Sequence, residues 1–104
     1  MKHLTEHERL EATNLGLAAI CEAYRVAIDN NALTGKKAIV ELALRLTTED
    51  IVGDAESIKD SVTEYNDSDT YRYVEKYAKR VKNGMLAREY LRDELKAMKE
   101  GVTI

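Results

Sequence analysis

The sequence predicts an all-α protein, a compact bundle of four or five helices around a central apolar helix over residues 34–46. Three observations carry this. The run Lys37-Ala38-Ile39-Val40-Glu41-Leu42-Ala43-Leu44-Arg45-Leu46 is the most apolar in the chain, and a helix apolar over most of its circumference must be covered on several sides. Glu41 and Arg45 interrupt it four residues apart, so they can pair on a narrow solvent strip. There is no Pro, while Ala, Leu, Glu, Lys and Arg are abundant, which removes the strongest helix breaker and favours helix throughout. Apolar residues recur at helical spacing along the chain, and no alternating strand pattern competes.

The 104 residues suit a single domain spanning 1–104. Leu4-Thr5-Glu6-His7-Glu8 reads as a capping box, with Thr5 as N-cap and Glu8 reaching back to it. The first helix then runs to about Asp29. Leu10, Leu17, Ile20, Tyr24 and Ala27 are its expected buried face, with Thr13 in the seam and Cys21 and Ile28 widening it. Gly16 lies inside this helix, either tolerated at a cost of about 1 kcal/mol relative to Ala or marking the close approach of another helix. Asp29-Asn30-Asn31 stops it, because Asn tolerates the left-handed C-cap conformation.

Thr34 is the expected N-cap of the central helix. Gly35-Lys36-Lys37 lacks the rest of a phosphate-binding loop and no strand precedes it. Thr47-Thr48-Glu49-Asp50 is read as the end of the central helix and the cap of the next. Ile51, Ala55, Ile58, Val62 and Tyr65 then form the cleanest seam, in a helix that Gly53 and two Ser weaken and packing must hold. Asn66-Asp67-Ser68-Asp69 reads as a turn and cap. The fourth helix carries Tyr71, Val74, Tyr77, Ala78 and Val81. Asn83-Gly84 favours a break or kink before a fifth helix, although the spacing of Tyr77, Val81, Gly84, Arg88, Leu91, Leu95 and Met98 can also continue unbroken. Gly101 is expected to end the last helix, with Val102–Ile104 as a short tail.

The net charge of −3 selects no partner class, but its distribution is uneven. Residues 41–69 hold nine acids against Arg45 and Lys59, and residues 72–92 hold seven bases against Glu75 and Glu89. Adjacent helices that complement each other's charge are the first account of this; the functional alternative is two electrostatically distinct binding faces. Asp50, Asp54, Glu56, Asp60 and Glu64 would form the acidic face, suited to a basic partner. Arg72, Tyr73, Lys76, Lys79, Arg80, Lys82 and Arg88 belong to a basic, Tyr-rich segment over 71–92, a composition found at interface hot spots and at nucleic-acid surfaces. Tyr71 and Tyr77 fit a buried face, and Tyr73 falls off it. A helix-turn-helix reading of 38–65 fails because its second helix would bring acids to phosphates.

No residue set implies catalysis, a cofactor or a metal. His3, His7 and Glu11 share a spacing that could hold zinc, but Thr5 as N-cap leaves His3 outside the helix. Cys21, the only cysteine, is expected to act as a small hydrophobe and allows no internal disulfide, which fits a reducing compartment. No stretch has the length of a membrane span and the first residues have no signal-peptide pattern, so a cytoplasmic protein is expected. The reading is a small non-enzymatic protein-binding module, of the kind found among inhibitors, immunity proteins and phage-type regulators. The alternatives are nucleic-acid binding through 71–92 and a homo-oligomeric structural protein, a homodimer in the simplest case.

Overall fold

The computed structural model describes residues 3–32, 35–64 and 68–99, with the side chains of Glu64, Ser68 and Asp69 left aside. Among these residues the chain forms three helices, not four or five: α1 (Glu6–Asp29), α2 (Lys36–Glu64) and α3 (Ser68–Lys99). The expected all-α class holds. Thr34, Tyr65, Asn66, Asp67 and the Gly101–Ile104 tail lie outside the described residues.

The ends of α1 follow their local chemistry. Thr5 Oγ1 accepts from the Glu8 amide at 3.1 Å, and Glu8 Oε1 accepts from the Thr5 amide at 3.0 Å, completing the capping box. At the other end Asn31 takes a left-handed φ of 53°. The Asn31 amide donates to the Ile28 carbonyl at 3.0 Å and the Ala32 amide to that of Ala27 at 2.8 Å, the paired bonds of a Schellman cap.

Two expected boundaries are absent. Thr47 and Thr48 do not start a new helix: α2 runs through them for 29 residues. The Thr48 hydroxyl donates to the Leu44 carbonyl at 2.8 Å, one turn back, so it is satisfied inside the helix and has no need to cap one. Thr47 is buried, at 8% exposure. Asn83-Gly84 does not break α3, which runs for 32 residues, about 48 Å at the usual rise. Gly84 keeps out of the left-handed region. It serves the crossing of α2 and α3, since a Cβ built on it would lie 2.7 Å from Ile51 Cγ1. A hydroxyl bond within the helix thus absorbs the first stop signal, and tertiary packing overrides the second.

The core joins Ile39, Val40 and Ala43 of α2 to Leu91 and Leu95 of α3 and to Ala23 and Ala27 of α1. The apolar run is therefore central, as expected, but as the first part of a longer helix. Ile51 meets Gly84 while Ile39 shares the core with Leu91 and Leu95, so α2 runs antiparallel to α3. Gly16 meets Tyr90 while Ala23 and Ala27, further along α1, share the core with Leu91 and Leu95, so α1 runs parallel to α3. The connectivity is up-down-up, with the α2–α3 interface the largest.

The face that α1 turns inward is only partly the expected one: Ala27 is buried and Ile20 packs against the core, as expected, but the large residues beside them are not inside. Its buried residues are Ala12, Gly16, Ala23 and Ala27. Leu10, Leu17 and Tyr24, expected inside, point outward with Ile28 and Cys21. The reason is steric. A helix faced with Ala and Gly can come close to a neighbour that supplies Tyr90, Leu91 and Leu95, and this proximity leaves no room for large residues on both sides. Gly16 marks the contact, because a Cβ there would fall 2.2 Å from Tyr90 Cδ1. Tyr71 was likewise expected inside and is 75% exposed, whereas Tyr73 is exposed as expected.

The result is flat and extended, 52 × 36 × 17 Å with a radius of gyration of 15.9 Å; a compact globule of this length has about 13 Å. Its accessible surface is 7493 Å², where a monomer of this mass averages about 5,900 Å².

Candidate protein-interaction surface

The outer face of α1 carries Leu10, Asn14, Leu17, Cys21, Tyr24 and Ile28, spaced 4-3-4-3-4. All six are exposed. Leu10 and Ile28 show 61% and 56% of their surface. This spacing is that of a coiled-coil seam, and it runs for about 27 Å along the helix. The helix is held from behind by its Ala/Gly face, so the stripe is presented on a rigid element.

Charge flanks the stripe sparsely. Glu11 lies at its N-terminal side. Arg25 lies at its C-terminal side, where Nη1 donates to Asp29 Oδ2 at 2.9 Å and Nε donates to Glu22 Oε2 at 3.1 Å. The Arg25 guanidinium holds the Glu22 carboxyl below its usual range, and Glu22 in turn raises Arg25.

The acidic residues do not make one face. Asp50, Glu56 and Asp60 are exposed. Asp54 is buried at 8% exposure and its Oδ1 is 3.4 Å from Arg80 Nε. The Glu64 side chain is not among those described. On α3, Arg72, Tyr73, Lys76, Lys79, Arg80 and Lys82 are exposed, while Arg88 is half-buried. Lys76 and Arg80 sit 5.9 and 5.6 Å from the Tyr77 ring centroid, within cation–π range. The Asp54–Arg80 pair links α2 to α3, so part of the uneven charge is spent on complementarity between neighbouring helices.

Asp54 and Arg80 also line a cleft of about 240 Å³ with Leu15, Thr47, Asp50, Ile51, Asn83, Gly84 and Ala87. It is smaller than typical small-molecule sites of about 300–1,000 Å³, and its one base, Arg80, is paired with Asp54. Among the described residues no group of three or more His, Cys, Asp or Glu could hold a metal ion. His3 lies outside α1, 3.6 Å from Glu89, so His3, His7 and Glu11 do not share a helix face. No helix is long and apolar enough to cross a membrane among the described residues.

Sequence reasoning missed the α1 stripe as a site. It identified nearly all of these residues as one apolar face but assigned that face to the core. The available signal was a second stripe, Ala12-Gly16-Ala23-Ala27, at the same spacing on the opposite side. Comparison with protein-family models, with curated proteins and with solved structures gives no match to this chain.

Proposed function

We propose that the chain is a protein-interaction module without catalytic activity, and that it docks its partner on the outer face of α1. One observation carries this reading: four large apolar side chains, Leu10, Leu17, Tyr24 and Ile28, are exposed in a single line on a rigid helix. Monomers seldom expose a contiguous apolar patch beyond a few hundred Å² without using it. The exposed acids Asp50, Glu56 and Asp60 and the bases Arg72, Lys76 and Lys79 would steer the approach, since rim charges set association rates more than affinity. Inhibitor, immunity and phage-type regulatory roles all suit such a module.

The test is capture of binding partners by the immobilised chain, compared across variants. Leu17→Lys and Ile28→Lys should abolish capture, while Asp60→Lys should only slow it. Capture that survives both α1 substitutions would refute the reading.

A second reading is supported by Tyr71 and Tyr73, both exposed beside Arg72, Lys76 and Lys79. These bases share one side of α3 at 4-3 spacing, an arrangement that can follow a nucleic-acid backbone while Tyr stacks on bases. It requires salt-sensitive binding of single-stranded oligonucleotides that Lys76→Glu weakens.

A further inference from the structure

We infer that the occupant of the outer α1 face is a second copy of this chain, bound as a two-fold dimer with the two α1 helices antiparallel. This rests on the reading of that face as a docking surface and names what fills it.

The stripe is complementary to itself when reversed. Set antiparallel about a two-fold axis level with Ala19, Leu10 falls opposite Ile28 of the second copy, Asn14 opposite Tyr24, and Leu17 opposite Cys21. Each layer occurs twice, as isologous contact demands. Leu10 and Ile28 close the two ends with apolar contact. Asn14, which would be costly to bury alone, meets the phenol of Tyr24. Ala18, one position from the axis on the flank of the stripe, lies beside its own copy, where a small residue permits close approach.

Charge selects this direction over the parallel one. In the antiparallel pair Glu11 lies beside Arg25 of the second copy, joining the cluster that Arg25 already forms with Glu22 and Asp29. A parallel pair would instead place Glu6 against Glu11, a like-charge contact made twice. Antiparallel helix dipoles also attract.

The area is that of a modest dimer. Leu10, Leu17, Tyr24 and Ile28 would each lose on the order of 100 Å². With Glu11, Asn14, Ala18, Cys21 and Arg25 each copy buries roughly 600 Å², or roughly 1,200 Å² in total, at the lower bound for stable specific interfaces. A concentration-dependent dimer is expected of an interface this small.

The experiment is sedimentation of the purified chain from low-micromolar to near-millimolar concentration. The mass should rise from 11.8 kDa toward twice that value. Leu17→Lys should weaken the dimer at least tenfold while leaving the circular dichroism and melting temperature of the monomer unchanged, because Leu17 is exposed. A monomeric mass throughout overturns the second copy as occupant, and leaves variant-dependent capture to judge the docking face separately. A dimer indifferent to Leu17→Lys overturns the face.

Direction is read by cross-linking with diamide, which accepts the two hydrogens released when two thiols join. In the antiparallel pair the two Cys21 residues are offset by four positions, which places their Cα atoms about 10 Å apart, beyond the ~7 Å limit of a disulfide. Wild-type chain should therefore stay uncrosslinked. A mixture of wild type with Leu17→Cys/Cys21→Ser should give a disulfide heterodimer. A Cys21–Cys21 homodimer as the main product would overturn the antiparallel order.

Discussion

Substituting Gly16 by Ala tests the close packing of α1 on α3 directly. The added Cβ would lie 2.2 Å from Tyr90 Cδ1, 2.7 Å from Cγ and 2.9 Å from Cβ. Rotating the ring relieves the first contact, but Tyr90 Cβ moves only with its backbone. The helices must therefore separate by roughly half an ångström, against a normal carbon–carbon separation of about 3.5 Å or more. Overpacking of this kind costs up to ~3 kcal/mol. Replacing Gly inside a helix returns about 1 kcal/mol, so the net loss is about 2 kcal/mol, and the melting temperature should fall by on the order of 10 °C. Urea unfolding followed by circular dichroism measures it. A double-mutant cycle isolates the cause: in a Tyr90→Ala background the obstruction is gone, and Gly16→Ala should stabilise by about 1 kcal/mol, giving a coupling near 3 kcal/mol. If Gly16→Ala leaves stability unchanged or raises it while Tyr90 is present, α1 does not lie this close to α3.

Gly53 is the control, since nothing lies within 4 Å of a Cβ built there; Gly53→Ala should stabilise by ~1 kcal/mol, and a loss in chemical denaturation would show that α2 is not a regular helix at that point. Arg80→Ala leaves the buried Asp54 carboxylate without its guanidinium and should cost about 1–3 kcal/mol, more than an exposed ion pair; an equilibrium-unfolding change within experimental error would place Asp54 in water. Thr5→Ala should cost about 1 kcal/mol through loss of the N-cap. Glu8 completes that cap, and its hydrogen bonds with Thr5 lower its carboxyl pKa. Its contribution is therefore present above the pKa of the unfolded chain and lost as pH falls through the folded value, so wild type and Glu8→Gln should converge in acid. Burial, with the Glu94 charge and hydrogen bond adding to it, pushes the Tyr90 phenol above its ordinary value. A raised pKa on an acid means that its neutral form is favoured in the fold. That contribution is complete below the unfolded pKa and disappears as pH rises through the folded one. Thermal melts should show an alkaline loss of stability that Tyr90→Phe reduces; an identical profile in the variant would dissociate the loss from Tyr90.

The sequence by itself determined what is written in local chemistry. The Thr5–Glu8 box, the Asn30-Asn31 stop and the burial of Ile39, Val40 and Ala43 depend on neighbours within a few positions, and each was legible before any fold was known. The all-α class followed from the same level, because composition and periodicity left no strand to compete. Only the tertiary structure decided where helices do not end. Thr47-Thr48 and Asn83-Gly84 have the composition of caps, but a Thr hydroxyl is equally satisfied by the carbonyl one turn back, and a Gly is equally suited to a helix crossing. Which use wins depends on Ile51 lying across Gly84, a contact between residues 33 positions apart in the sequence. The inversion of α1 has the same origin. Hydrophobicity ranks Leu10, Leu17, Tyr24 and Ile28 above Ala12, Gly16, Ala23 and Ala27 as core residues. Packing ranks by volume as well, and α3 had already filled the available space with Tyr90, Leu91 and Leu95, so the small face turned inward and the large one remained to meet a partner.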